Sequence, residues 1–453
     1  MSDTPGQTPG PEDPQEPQNP FKGTPFEGLF GPGPFPGGLP GMPAGIPDLS
    51  HLLGQIQSLM QPYDGPLNWD VALDTARKSA AATPDPSPTQ KQKDAVADAV
   101  RLADHWLEET TSFPSGVVNA TAWSKAEWLV ETSPVWKQLV EPVAESSVNS
   151  LSGALPPEMA AMAGPMAGFL GKAVGALLAN QTGSGLGALA GEVLSLGEIG
   201  IPLGSPGRAA LLPANIAPFA DGLGVAEDDV LLYLALREAA HQRLYAGVPW
   251  LRDHLIGAVR DYAAGVEINL EAIQERIEEQ MRGVDMNNPE SLQHLLENGM
   301  FELPKSATQQ AALERLEIAL ALVEGWVDEV VSLATAERMP AAAKLQEAVR
   351  RRRAAGGPAE QVFANLVGLD LRPRRLRDAA TLWGSLRTRQ GIEARDGVWM
   401  SPALLPTSAD LDDPLGFREG AEQPAALDEA DFDAELRKLL EGGGASGDTP
   451  DAE

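Results

Sequence analysis

The feature that most constrains this fold is an apolar run that ends in a cluster of polar and charged residues. Residues 230–236 are all apolar, and Arg237, Glu238, His241 and Gln242 follow within six positions. Acidic residues before the run and a Gly-Val-Pro sequence after it mark the start and the stop of a helix. A helix that is apolar all round is buried, and buried charges need partners. The polar cluster must therefore face a cleft or a set of compensating groups.

The composition predicts a globular protein with tails. The chain has 453 residues, of which 43% are hydrophobic, and this is enough for a real core. Its 34 basic and 64 acidic residues give a net charge of −30, which argues against attraction to nucleic acid or to an anionic membrane surface. Cysteine is absent from the sequence. Disulfides and thiolate zinc sites are therefore excluded, and any metal must be held by histidine and carboxylate ligands.

Neither a secretion signal nor a membrane span is predicted. The N-terminus is acidic and proline-rich, whereas a secretion signal begins with a basic region followed by an apolar one, so cytoplasmic residence is expected. The one candidate span, residues 159–180, contains Pro165 and Lys172 and is built of Ala, Gly and Met. This composition favours a tightly packed helical hairpin, in which small residues let two backbones approach closely.

Composition also divides the chain into three parts. Residues 1–47 are rich in proline and glycine and are predicted to be a disordered arm. Residues 48–419 are predicted to form one helical-rich domain with one or two lobes, and residues 420–453 an acidic, flexible tail. Four phenylalanines in the arm are possible contact points for a protein partner: Phe21, Phe26, Phe30 and Phe35.

Within the domain, apolar residues recur three and four positions apart, which predicts a mainly helical structure. The predicted helices span residues 94–107, 122–143, 230–245, 251–281, 308–336 and 341–353. Short strands are predicted at residues 198–203 and 209–216. The predicted fold class is therefore α+β, predominantly helical, with a small sheet.

The segment from Arg237 to His241 matches the metal-binding helix motif His-Glu-x-x-His at every defined position except the first. In the intact motif, two histidines one turn apart bind zinc and the glutamate activates a metal-bound water. Glu238 and His241 are in place, but the arginine has no lone pair to offer a metal ion. On a later predicted helix, Glu324 and Asp328 are four residues apart. These two carboxylates repel each other unless a cation or a histidine lies nearby.

These two helix segments resemble those of the zincin-like metallopeptidases of actinobacterial type, and the resemblance runs over roughly residues 60–418. The resemblance implies a zincin-like metallopeptidase fold and hydrolase activity. It also implies that Glu238 is the general base, that His241 and Glu324 are zinc ligands, and that Asp328 supports a metal-binding histidine by a hydrogen bond. Three further segments carry the resemblance: Val248-Pro249-Trp250-Leu251, Gly368-Leu369-Asp370-Leu371, and Arg395-Asp396-Gly397-Val398-Trp399 leading to Leu404-Leu405-Pro406.

Arg237 departs from this pattern at the first ligand, and two functions stay open. One is an active zinc-dependent metalloprotease or hydrolase, with zinc on His241 and Glu324 and a substitute ligand, for which His254 is a candidate. In the other, the Arg237 guanidinium occupies the place of the cation and pairs with Glu324. The site is then degenerate and catalytically impaired, and the protein serves as a scaffold that binds an unknown protein or peptide partner. The arginine favours this second function.

Other kinds of site are weakly indicated. The glycines of residues 183–200 lack the spacing of a phosphate-binding loop, and no Gly-x-Ser-x-Gly sequence follows a predicted strand. Residues 350–353 are four consecutive arginines. In an acidic chain this cluster predicts salt bridges or a solvated face in preference to a phosphate site.

Overall fold

Helices make up most of the computed structural model, which describes residues 63–153, 164–265, 306–354 and 375–418. For residues 147–153 and 164–174 only the backbone is described. The helices are α1 (Trp69–Ala80), α2 (Gln90–Leu107), α3 (Lys125–Gly153), α4 (Gly164–Ala190), α5 (Pro213–Ala220), α6 (Glu227–Gly247), α7 (Leu251–Ala264), α8 (Ala307–Thr335), α9 (Ala342–Ala354), α10 (Arg375–Gln390), α11 (Ile392–Gly397) and α12 (Ser408–Asp412).

The predicted arm and tail, residues 1–47 and 420–453, lie outside the described residues, as does the segment 368–371. The three-part division of the chain therefore stays a prediction. No helix of the described residues is long and apolar enough to cross a membrane.

The sheet is small. β1 (Asn119–Ala122) and β2 (Arg208–Leu211) run parallel, with Asn119 opposite Arg208, and Ser195 forms an antiparallel bridge to Leu211. The strand predicted over residues 209–216 is confirmed in its first half only, because Pro213 begins α5, where a proline is favoured in the first turn.

The strand predicted over residues 198–203 is wrong. These residues form turns, and Gly200 has a φ of 80°, a left-handed conformation that strands do not contain. β1 was not predicted, because four residues of Asn, Ala and Thr carry too little alternation to indicate a strand.

Most helix predictions agree with the structure. The helices predicted over residues 94–107, 230–245, 308–336 and 341–353 correspond to α2, α6, α8 and α9. The described part of the predicted helix 251–281 is α7. α1 and α10 were not predicted.

The small residues of α4 do allow a close helix contact, and its partner among the described residues is α1. A Cβ atom at Gly183 would lie 2.3 Å from the Ala72 carbonyl oxygen, and one at Gly187 would lie 2.6 Å from that of Ala76. The expected close approach is therefore confirmed, although the expected hairpin is not seen within the described residues. The segment before α4, residues 154–163, lies outside them.

Helix α6 is the central element. Acidic residues fill the first turn of α6, where the positive end of the helix dipole stabilises negative charge. The helix ends at Gly247. Residues 233–244 are buried without interruption, against α2, α8, α9 and β2. The polar cluster is thus buried, and its charges need partners on these neighbouring elements.

Tryptophan side chains hold α8 in position beside α6. The Trp326 indole N–H donates to Asp396 Oδ1 at 2.8 Å, and the Trp383 indole N–H donates to the Leu322 carbonyl oxygen at 2.9 Å. Trp383 also stacks on Trp399, with 5.5 Å between the ring centroids. These contacts come from α10, α11 and the turn after it, and they fix the part of α8 that faces α6.

We predict that Gly325→Ala destabilises the protein. In this variant the new Cβ atom would lie 2.6 Å from the Ala379 Cβ and 2.7 Å from the Ala380 nitrogen, so α8 and α10 must move apart. Overpacking of this kind costs about 1–3 kcal/mol of the free energy of unfolding, measured by urea denaturation.

The matched control is Gly257→Ala in α7, where a Cβ atom meets nothing within 4 Å. This substitution should raise stability by up to about 1 kcal/mol through helix propensity. Equal stabilisation by both variants would show that the close contact at Gly325 does not constrain the fold.

Candidate functional site

The centre of the site is an ion pair between α6 and α8. Arg237 Nη2 lies 2.7 Å from Glu324 Oε2, and Arg237 Nη1 lies 3.2 Å from Asp328 Oδ1. The Arg237 and Glu324 side chains are only 7% and 5% exposed. One planar guanidinium group therefore joins two carboxylates that are one helical turn apart, which relieves their repulsion.

His241 completes the contact between the two helices. Its Nε2 lies 2.9 Å from Glu324 Oε1, and its Nδ1 lies 2.8 Å from the carbonyl oxygen of Arg237. Both ring nitrogens thus face oxygen acceptors, an arrangement that a protonated imidazole satisfies with two N–H donors. The two side chains that the family resemblance marks as zinc ligands are hydrogen-bonded to each other.

Helix α9 adds two more cations to the same carboxylates. Arg353 pairs with Glu324 Oε2, and Arg350 Nη2 lies 2.5 Å from Asp328 Oδ2. The prediction that the arginine cluster forms salt bridges is confirmed. Sequence reasoning missed that two of these bridges reach the site. The signal that could have found them is the surplus of negative charge at Glu324 and Asp328, since a single arginine cannot neutralise both carboxylates.

The charges at the site shift the acidities of its groups in a consistent way. Burial works to raise the pKa of Glu324, but the charges of Arg353 and His241, with smaller help from Arg237, outweigh it and hold that pKa well below its usual range. Burial works to lower the pKa of Arg237, and Glu324, Tyr233 and Asp328 together outweigh it and raise that pKa above its usual value. Both groups are therefore ionised.

Glu238 is the next residue of α6 after Arg237 and has a different environment. Its side chain is fully buried, Oε2 accepts a hydrogen bond of 2.7 Å from the Gly197 backbone N–H, and Oε1 accepts one of 3.0 Å from Gln242 Nε2. Burial raises the pKa of Glu238, and the charge of His241 and the Gly197 hydrogen bond oppose this rise only in part.

The loop after α4 can approach the site because it contains glycines. A Cβ atom at Gly197 would lie 3.0 Å from Glu238 Oε2, and one at Gly200 would lie 3.1 Å from Glu324 Oε1. Sequence reasoning missed this loop as part of the site because it interpreted residues 198–203 as a strand.

The residues present do not fit a zinc ion. Glu324 Oε2 carries two guanidinium groups and Glu324 Oε1 carries the His241 ring, so the carboxylate has no side directed toward a metal. His254, the candidate substitute ligand, lies on α7 with its ring edge-on to Trp250. Within the described ranges, no three histidine, aspartate or glutamate side chains are grouped so that they could hold a metal ion.

Asp328 contacts position 237 and two further side chains. Its carboxylate accepts from residue 237, which is the first histidine in the intact motif and an arginine here, and also from Arg350 and Gln346. Arg237, His241, Glu324 and Asp328 are thus brought together, while the carboxylate of Glu238 is directed toward Gly197 and Gln242.

We predict that Arg237→Met lowers the free energy of unfolding by about 3 kcal/mol, because it removes one partner from a buried ion pair. Methionine keeps the linear part of the side chain and removes the charged guanidinium group. Arg351→Met is the control, since Arg351 pairs with Glu347 at the surface, where its side chain is 78% exposed. This control should change stability little. A loss at Arg237 no larger than the loss at Arg351 would contradict the buried pairing.

We predict that Glu238→Gln changes how stability depends on pH. The raised pKa means that the folded protein binds this proton more tightly than the unfolded chain does. Stability from this group is therefore fully present below its ordinary pKa of 4.5 and is lost as pH rises through the raised value. The free energy of unfolding of the variant, measured relative to the unsubstituted protein, should rise as the pH rises above 4.5 toward the raised pKa. A difference that is constant with pH would show that the carboxyl is not perturbed.

The chain matches the model of the family described as zincin-like metallopeptidase over residues 67–417. It is also similar to a crystal structure from Chloroflexus aurantiacus described as that of "a putative hydrolase with a novel fold", with a TM-score of 0.52 and 20% sequence identity. The match covers 78% of this chain and 100% of that one, and at this identity it shows the fold alone. No curated protein matches the chain.

The family match spans the helices that carry Arg237, His241 and Glu324, and the predominantly helical α+β fold expected from the resemblance is confirmed. The chain belongs to the zincin-like metallopeptidase family.

Proposed function

We propose that this protein is a catalytically impaired member of its family, with a degenerate zinc site, that works by binding a protein or peptide partner. The observation that carries the proposal is the position of Arg237 Nη2, 2.7 Å from Glu324 Oε2, while Glu324 Oε1 contacts His241. The arginine thus occupies the side of Glu324 that would face a zinc ion.

The charge at Glu324 supports replacement of the metal. Arg237 and Arg353 both pair with this carboxylate, so two positive charges stand where a divalent cation would contribute the same amount. A guanidinium group supplies the charge and the hydrogen bonds, but it has no empty coordination position and cannot lower the pKa of a bound water. The electrostatic role of the ion is kept and its Lewis acidity is lost.

The environment of Glu238 points in the same direction. A general base must be within reach of the proton that it removes. Both oxygens of Glu238 accept hydrogen bonds from the protein, and its side chain is fully buried, so neither oxygen faces solvent. In the proposed function Glu238 is a structural acceptor that ties the Gly197 loop to α6.

One observation favours the alternative, a zinc-dependent hydrolase. His241 Nε2 and Glu324 Oε1 lie 2.9 Å apart on facing helices, which is the kind of proximity that two ligands of one metal ion also have. For zinc to bind, Arg237 and Arg353 would both have to leave Glu324, and a third ligand would have to be supplied. Glu238 would then be the general base.

We predict that the protein purified without chelator contains far less than one zinc per chain. We also predict that a double substitution, Arg237→His with Arg353→Gln, creates zinc binding. This variant removes both guanidinium groups from Glu324 and restores the first histidine of the motif. Metal content after dialysis against zinc, followed by titration against a chromogenic chelator, measures the gain.

The matched control is Arg237→Gln with Arg353→Gln, which removes the same charges without adding a ligand. The histidine variant should hold zinc at least about tenfold more tightly than this control, because metal affinity depends strongly on the number of ligands. Stoichiometric zinc in the unsubstituted protein, or peptide cleavage that Glu238→Gln abolishes, would overturn the proposed function in favour of the hydrolase.

A further inference from the structure

A cavity of about 320 Å³ lies between the last two turns of α6, the start of α7 and the loop of residues 196–207. Most of its wall is apolar, and Leu196, Ile201, Leu203 and Ala246 contribute to it. Tyr245 also lines the cavity, but its hydroxyl oxygen is buried in the protein, so the residue offers a ligand only its ring. This volume is near the lower limit for ligand pockets, so the cavity suits a small ligand that is mainly apolar.

Arg252 is the only charged residue among the described residues that line this cavity. It lies in the first turn of α7, is partly buried, and forms no ion pair or hydrogen bond with a described residue. By contrast, Arg243 on α6 pairs with Asp104. In a chain with 64 acidic and only 34 basic residues, an arginine without a carboxylate partner leaves a positive charge for an anion. Its guanidinium group can donate to both oxygens of a carboxylate at once.

The wall of the cavity offers few hydrogen-bond donors to the carbonyl groups of a ligand. Three of its residues are prolines, which have no backbone N–H. They are Pro202, Pro206 and Pro249. Three further backbone N–H groups already donate inside the protein: that of Leu196 to the Ala210 carbonyl oxygen, that of Leu203 to the Ile201 carbonyl oxygen, and that of Gly197 to Glu238. A peptide backbone bound here would lose hydrogen bonds to water without replacement, whereas an alkyl chain has none to lose.

We propose that this cavity binds the anion of a medium-chain fatty acid. Arg252 pairs with the carboxylate, and the alkyl chain covers the apolar wall formed by α6 and the loop of residues 196–207. The inference goes beyond the proposed function and does not depend on it, because Arg252 takes no part in the ion pairs of Glu324. A peptide that ends in leucine shares the carboxylate and an apolar group, and the experiment separates these two ligands.

The test is isothermal titration calorimetry of the full chain with octanoate, hexanoate, octan-1-ol and an acetylated pentapeptide that ends in leucine. Octanoate should bind about tenfold more tightly than octan-1-ol, because only the anion forms a charge-assisted hydrogen bond with Arg252. It should also bind about tenfold more tightly than hexanoate, because two more CH₂ groups leave water. The peptide should bind more weakly than octanoate, because the wall does not satisfy its carbonyl groups.

Two variants locate the binding. Arg252→Gln should remove the preference for octanoate over octan-1-ol, whereas the control Arg260→Gln removes the same charge from an exposed position of α7 and should keep the preference. Ala246→Trp fills the cavity from its wall and should abolish octanoate binding, while circular dichroism shows the fold intact. Its control is Ala188→Trp, which adds the same side chain at an exposed position of α4 and should leave binding unchanged.

Four results would each overturn the proposal. They are equal binding of octanoate and octan-1-ol, a preference that survives Arg252→Gln, tighter binding of the peptide than of octanoate, and no binding of octanoate at millimolar concentration. None of these results changes the proposed function, which is tested by zinc content and by peptide cleavage.

Discussion

The structure depends on the neutralisation of Glu324. This carboxylate is 5% exposed and sits in the middle of α8 among apolar side chains, where an unpaired charge costs several kcal/mol. Its partners come from two other helices, Arg237 and His241 from α6 and Arg353 from α9. Because each of these contacts needs its own geometry, the carboxylate fixes the positions of three helices relative to one another.

Arginine suits this task better than lysine would. The fork of Arg237 contacts Glu324 and Asp328 at once, whereas a lysine ammonium is a point charge on a flexible stem. A metal ion in the same place would make folding depend on metal supply, since binding energy at such sites is folding energy. An arginine is part of the chain and is always charged. In the proposed function, the arginine therefore lacks the reactivity of a metal ion but gives a core that is complete in the polypeptide itself.

The sequence predicts much of this arrangement, and the reasons for its failures are physical. The apolar run of residues 230–236 predicts a buried α6, and the repulsion between Glu324 and Asp328 predicts a nearby cation, which is Arg237. The ion pair between Arg353 and Glu324 is a tertiary contact, and no local sequence pattern indicates it. The sequence wrongly predicts a strand over residues 198–203, because this short apolar stretch resembles one. In the structure these residues form turns, and the backbone N–H of the preceding Gly197 donates a hydrogen bond to Glu238.

Different turns of α6 contact the ion pair and the cavity beside it. Arg237 and His241 lie in its middle turns and face α8, while Tyr245 and Ala246 lie in the last turns and line the cavity of about 320 Å³ between α6 and the loop of residues 196–207. Gln242 belongs to both regions, because its amide donates to Glu238 while the residue also lines the cavity. Tyr245 links the two regions as well, since its ring centroid lies 5.9 Å from that of His241. A change at the cavity can therefore reach the ion pair through Gln242, through Tyr245 and through the Gly197 loop, whose backbone N–H donates to the carboxylate of Glu238.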